Sequence, residues 1–170
     1  MLDPPTVTSV FAPDLGKMRG TLQPVASPDF KAAARRHHDD AHFLLGDNRW
    51  ANSDHLSGLA AECALKAIIQ RAPFGAATNA KGIPMWGQPT KTLGLHINKL
   101  WQELAQSLSG HSATAFAALL AGPPPFATWE VEERYGDGSA ITQHHATAHL
   151  GAARQVLAAL LQADRDGFVS

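Results

Sequence analysis

Cysteine, long apolar runs and excess charge are all scarce in this chain. Its 170 residues contain one cysteine, Cys63, whose apolar neighbours in a helical stretch predict a buried, reduced thiol rather than a nucleophile. There is no run of about 18 apolar residues, and no charged-then-apolar leader precedes the first helix. We therefore expect a cytoplasmic protein that neither spans nor binds a membrane.

The charge balance is also nearly neutral. A formal net charge of -1 argues against binding nucleic acid through global positive charge, so any RNA contact has to be local. The sequence has no glycine-rich phosphate loop, no Ser-His-Asp or Cys-His signature and no zinc-type cysteine spacing. These absences predict a protein without a bound cofactor.

The chain is 45% hydrophobic, enough to bury one sizeable core in one domain. Residues 1–26 contain four prolines and two glycines, which predicts an irregular N-terminal arm. Residues 27–165 carry helical periodicity and form the predicted bundle. The predicted helices run from Ser27-Pro28-Asp29 to Leu45, from Asn52 or Ser53 to Pro73, from Leu93 to Leu108, from Ser112 to Ala121 and from Ser139 to Ala163.

Two irregular stretches separate these helices. Residues 73–92, with Trp86, form a loop too long for a plain connector. Three consecutive prolines, Pro123 to Pro125, predict an extended segment carrying Phe126 and Trp129.

The stretch from His55 to Ile69 is a helix that is apolar on nearly every side, as expected of the central helix of a bundle. Inside it, Glu62 precedes Lys66 by four residues, the favourable order for an ion pair on one face. In one interpretation the pair only satisfies buried polar groups. In the other, Glu62, Lys66 and His96 line a surface depression that we call the polar groove.

Several parts of the chain resemble the HEPN family of prokaryotic all-helical domains. In order, they are an Arg-rich helix, Glu62-Cys-Ala-Leu-Lys66, His96-x-x-x-Leu100 and Trp129-x-x-x-x-Arg134-Tyr135. The resemblance implies an up-and-down bundle of four to five helices, commonly a homodimer. Members of the family are metal-independent ribonucleases or non-catalytic partners, often of nucleotidyltransferases, in two-gene toxin–antitoxin and defence systems.

The resemblance also points to catalytic candidates. In the family, an Arg and a His separated by four to six residues act together across a dimer. Here Arg134 is followed by His144 and His145, with nine or ten residues between. This departure from the family spacing leaves a structural alternative open, in which Arg134 pairs with an acid such as Glu62.

Positive residues follow one another along the first helix at helical spacing. This basic stripe consists of Lys31, Arg35, Arg36, His38 and His42. It is either a solvated face or a contact for the phosphates of RNA or of a nucleotide, for which arginine supplies a planar, bidentate donor.

Histidine pairs four residues apart occur on two helices. They are His38 with His42 and His145 with His149. Facing each other, they could bind zinc or another transition metal. Solvated histidines are the alternative, and we assign no metal ligands.

We therefore expect an RNA- or nucleotide-associated component of a two-gene system, with a partner encoded by a neighbouring gene. A metal-independent endoribonuclease and a metal-binding bundle are the alternatives.

Overall fold

The computed structural model describes residues 28–71, 95–107 and 116–167, and these residues form an all-α bundle without strands. The predicted N-terminal arm and the loop around Trp86 lie outside the described residues. The helices are α1 (Phe30–Gly46), α2 (Trp50–Arg71), α3 (Ile97–Ser107) and α4 (Gln143–Arg165), with a 3₁₀ helix at Val131–Tyr135 and a helical turn at 116–120. This architecture confirms the predicted all-α fold.

Side-chain caps and a short turn set the positions of α1 and α2. Asp29 caps α1 by accepting a hydrogen bond from the backbone N–H of Ala32 at 2.9 Å. Asn48 takes a positive φ of 58° in the turn after α1. The connection is only 47–49, so α2 begins at Trp50, two residues before the predicted cap, and packs directly against α1.

Helix α2 is the centre of the bundle and contacts every other named helix. Small residues let its neighbours approach closely, since Ala60, Ala61 and Ala64 are almost fully buried. Leu65 and Ile68 add larger apolar surface to the same core. These buried residues explain why α2 lies at the centre of the bundle, as the sequence predicts.

Several predicted boundaries differ from the structure. Helix α3 begins at Ile97 rather than Leu93, because the carbonyl of His96 is the acceptor for the first turn, from Lys99 and Leu100. The segment after Pro123 turns at 125–128 instead of remaining extended. Helix α4 begins at Gln143 rather than Ser139, since the side chain of Thr142 caps it.

Among the described residues, no helix combines the length and apolar character that crossing a bilayer requires.

Candidate functional site

The residues of the polar groove lie together. Lys66 Nζ donates to Glu62 Oε1 at 2.6 Å, and both side chains are buried. His96 Nδ1 lies 3.2 Å from the other carboxylate oxygen, Oε2. The expected interior ion pair is therefore present, and both oxygens of Glu62 have a partner. The ammonium of Lys66 also lies 5.8 Å from the centre of the Phe30 ring.

Trp129 connects the polar groove to the beginning of α2. Its indole stacks on His55, with ring centres 5.5 Å apart, and lies 6.5 Å from the His96 ring. Its Nε1 donates to the carbonyl oxygen of Asp54 at 3.3 Å. Gly58 makes room for it, because a Cβ at that position would lie 2.2 Å from an indole carbon. Trp129 is thus fully buried and lies against the rings of both His55 and His96.

We call the group formed by Arg36, His37, His55 and Arg134 the His–Arg site. Burial lowers the pKa of His55, and the positive charge of Arg134 lowers it further. Burial likewise lowers the pKa of His37, with Arg36 as the next cause. His55 Nδ1 is buried and has no hydrogen-bond partner among the described residues. The site therefore combines two imidazoles that are mostly neutral at pH 7 with two exposed guanidinium groups.

Cys63, beside this site, is no nucleophile. Burial, together with the Glu62 carboxylate, raises the pKa of its thiol to about 11. The thiol is therefore protonated at neutral pH, although Cys63 is half-buried and not buried as its apolar neighbours predict.

A second buried pair joins α2 to α4. His149 Nδ1 lies 2.7 Å from Asp54 Oδ1, and His149 Nε2 lies 3.1 Å from the carbonyl oxygen of Pro125. Each ring nitrogen of His149 therefore lies within hydrogen-bond distance of an oxygen. Asp54 is 1% exposed, and its Oδ2 has no partner among the described residues. The sequence analysis grouped His149 with His145 and therefore missed this pair. The only signal for it in the sequence is an acidic residue, Asp54, in a helix whose other faces are apolar.

The predicted catalytic residues only partly come together. Arg134, in the 3₁₀ helix, donates a hydrogen bond to Tyr135 Oη at 2.8 Å, and its guanidinium lies over the Tyr135 ring. The two carboxylate oxygens of Glu62 are instead in contact with Lys66 and His96. The expected pairing of Arg134 with Glu62 is therefore wrong. His144 and His145 lie exposed in the first turn of α4, with ring centres 6.3 Å apart.

Glu133, the neighbour of Arg134, lies near the beginning of α4. Burial raises the pKa of its carboxyl, and the negative charge of Asp54 adds to the effect, whereas His149 and His145 act in the opposite direction. The charges of the 3₁₀ helix therefore act on both sides, since Glu133 is affected by the histidines of α4 and Arg134 affects His55.

The basic stripe divides between two flanks of α1. Lys31 pairs with Asp164 of α4 and is therefore not free for phosphate, contrary to the prediction. Arg35, His38 and His42 share this flank, and His38 Nδ1 lies 3.4 Å from Asp39 Oδ1. Arg36, by contrast, acts electrostatically on His37 and Cys63 at the α2 side.

The two histidine pairs do not form a metal site. In residues 28–71, 95–107 and 116–167, no three His, Cys, Asp or Glu side chains are arranged to hold a metal ion. His149 is instead taken by Asp54, whereas His38 and His42 line a cavity between α1 and α4.

Comparison with models of protein families, with curated proteins and with solved structures finds no match to this chain.

Proposed function

We propose that this chain is a HEPN-type helical protein that binds RNA at the His–Arg site and acts as a component of a two-gene toxin–antitoxin or defence system. The observation that carries this proposal is the effect of the Arg134 charge on His55, together with that of Arg36, a residue of the basic stripe, on His37. The proposal includes the homodimer and the nucleotidyltransferase-like partner that the HEPN resemblance implies.

Phosphodiester recognition fits the charges of this site. The guanidinium groups of Arg36 and Arg134 are exposed and can each donate two parallel hydrogen bonds to a phosphate. Glu62 is paired with Lys66, which reduces its repulsion of phosphate, although Asp54 acts more strongly than Glu62 on His55, and Asp40 does so on His37. Trp129 is fully buried and holds the histidines in place rather than stacking on a base.

The test is fluorescence anisotropy of a labelled single-stranded RNA across a salt series. We expect the affinity to fall as the salt concentration rises. The slope of log affinity against log salt concentration should correspond to about one or two neutralised phosphates, because few cations are involved. An Arg36→Gln, Arg134→Gln double variant should lose most of the binding. Arg165→Gln is the matched control, since Arg165 is exposed and ends α4, about 30 Å along the helix from His145. Binding that ignores both salt and the double variant would refute the RNA assignment.

A metal-independent endoribonuclease is the second candidate, and the unpartnered Nδ1 of His55 beside Arg134 favours it. In this mechanism the His55 imidazole takes the proton of a ribose 2′-hydroxyl, and the 2′-oxygen attacks phosphorus. The bond to the 5′-oxygen then breaks, and that oxygen takes a proton from solvent water, since both imidazoles are mostly neutral at pH 7. The products are a 2′,3′-cyclic phosphate and a 5′-hydroxyl, with Arg134 stabilising the charge that develops on the phosphate.

Cleavage of RNA by pure protein in excess chelator tests this candidate. Loss of cleavage in His55→Gln and in Arg134→Gln, with His144→Gln unaffected, would support it. Loss in Arg134→Gln and in His144→Gln, with His55→Gln unaffected, would instead favour the candidates from the family resemblance, Arg134 with His144 and His145. If wild type cleaves neither structured nor unstructured RNA, the non-catalytic proposal is favoured.

A further inference from the structure

Asp54 of α2 and His149 of α4 hold the segment before the 3₁₀ helix at several points. The carbonyl oxygen of Pro125 lies 3.1 Å from His149 Nε2, and His149 Nδ1 lies 2.7 Å from Asp54 Oδ1. The carbonyl oxygen of Asp54 accepts a hydrogen bond from Trp129 Nε1 at 3.3 Å. The Phe126 ring also stacks on the His149 ring, with ring centres 4.9 Å apart. These contacts form a closed circuit between the segment and two helices.

The circuit is more than packing requires. Asp54 is 1% exposed, and its Oδ2 is buried without a hydrogen-bond partner among the described residues. A buried polar pair is weak evidence for stability, because apolar residues of the same shape can often replace it at little cost. The apolar side chains of Phe126, Trp129 and Val131 already attach the segment to the core. Hydrogen bonds are directional and apolar contacts are not, so the circuit adds a defined position.

That position is passed on to Arg134. Trp129, at one end of the circuit, stacks on His55 with ring centres 5.5 Å apart. The 3₁₀ helix begins two residues later at the buried Val131, and it carries Arg134. The hydrogen bond of Arg134 goes to its neighbour Tyr135, so within the described residues no hydrogen bond of its own ties Arg134 to α2. Its place relative to His55 therefore depends on how the preceding segment is held.

We propose that His149 is a positioning residue of the His–Arg site. By joining Pro125 to Asp54, it fixes the place at which the 3₁₀ helix holds Arg134 relative to His55. His149 acts through the segment and has no contact with RNA in this proposal. The positioning is a property of the fold, whereas its consequence for RNA binding rests on the proposed function.

The pKa of His55 reports the position of Arg134, because the positive charge of Arg134 lowers it. Among the described residues, the charges that act on His55 are those of Arg134, Asp54, His37 and Glu62. His149 is not one of them, so a change at His149 alters this pKa only by moving the groups around His55. Asp54 acts on His55 directly, and His149 is therefore the residue to substitute.

The test is an NMR pH titration of His55 in a cycle of His149→Asn and Arg134→Gln. The asparagine amide reaches Asp54 as Nδ1 does, but it is too short to reach the carbonyl oxygen of Pro125. The bridge is thus broken without leaving the buried carboxylate unpaired. Each single variant should raise the pKa of His55. In the His149→Asn background, most of the effect of Arg134→Gln should be absent.

An equal effect of Arg134→Gln in both backgrounds would overturn the proposal. So would a wild-type pKa of His55 in either single variant. Gln155→Asn, an exposed change in the same helix, is the control and should leave this pKa unchanged. His149→Gln breaks the bridge at the Asp54 end instead and should give the same two results, so the test does not depend on the folding of one variant.

RNA binding separates this inference from the proposed function. If the function is right, His149→Asn should weaken binding of the labelled RNA about tenfold, as expected when a hydrogen bond to a charged group is lost. If the Arg36→Gln, Arg134→Gln double variant binds RNA as wild type does, the proposed function fails and the NMR cycle still decides the positioning. Wild-type RNA affinity in His149→Asn, with the double variant defective, would overturn the positioning alone.

Discussion

Replacing Gly58 with alanine should place a methyl group inside the van der Waals surface of Trp129. The added Cβ would lie 2.2 Å from Cε2 and 2.4 Å from Nε1 of the indole, so the ring has to move. Such overpacking costs about 1–3 kcal/mol. The displaced ring also loses its hydrogen bond to the Asp54 carbonyl, worth about 1 kcal/mol. Alanine regains up to about 1 kcal/mol of helix propensity.

The balance is a loss of about 2 kcal/mol, which should lower the melting temperature by about 4–8 °C for a chain of this size. Circular dichroism during heating measures it. Gly151→Ala is the matched control, because the same change in open space should leave stability unchanged or raise it by up to about 1 kcal/mol.

A double-variant cycle with Trp129→Leu identifies the cause. If the indole is what excludes a Cβ, Gly58→Ala should become neutral or stabilising once the indole is gone. A penalty of equal size in both backgrounds would refute the reasoning, and so would an unchanged melt of the single variant.

Three further predictions concern charge. Glu62→Ala should lower the free energy of unfolding by about 3 kcal/mol, since the Lys66 ammonium is left buried and unpaired; exposed Glu132→Ala is the control in urea titrations, and a loss below about 1 kcal/mol would contradict a buried pair. His149→Gln should lower the free energy of unfolding by about 1–3 kcal/mol, because the buried carboxylate of Asp54 loses its contact with Nδ1; a wild-type melt would argue against that pair. The pKa values of His37 and His55 are lowered in the folded protein, so the folded state binds fewer protons than the unfolded chain. The contribution of these two histidines to stability is therefore fully present above the unfolded pKa of 6.5. It is lost as the pH falls through their pKa values in the folded state. NMR titration showing either imidazole above 6.5 would contradict this sign.

Patterns local to one helix were predictable from the sequence. The Glu62–Lys66 pair follows from its four-residue spacing, and the burial of α2 follows from its apolar faces. The beginning of α1 was predicted to within about two residues from Ser27-Pro28-Asp29, although Asp29 is the cap in the structure and not an acid of the first turn. In each case the interacting groups lie within one or two turns, where backbone geometry alone fixes their distance.

Contacts between helices were not predictable in the same way. Asp54 and His149 are 95 positions apart, and no periodicity states which flank of α2 meets α4. The same limit explains the error in the predicted basic stripe. Helical spacing places Lys31 and His38 on one face of α1, but it does not reveal that Asp164 of α4 lies opposite Lys31. Both errors concern the rotation of packed helices about their axes, which depends on the whole core.

The segment between 123 and 142 is attached to the bundle by three buried side chains, Phe126, Trp129 and Val131. Outside the 3₁₀ helix, its backbone hydrogen bonds are isolated turns, such as the one from Ala127 to Pro124. Such a segment opens by local fluctuation at a lower free energy than the helices, and its amide hydrogens exchange sooner. If RNA binds at Arg134, as proposed, and requires the closed form, it should slow exchange throughout this segment while leaving the core of α2 unchanged. Hydrogen exchange can therefore report occupancy of the site without any label on the ligand.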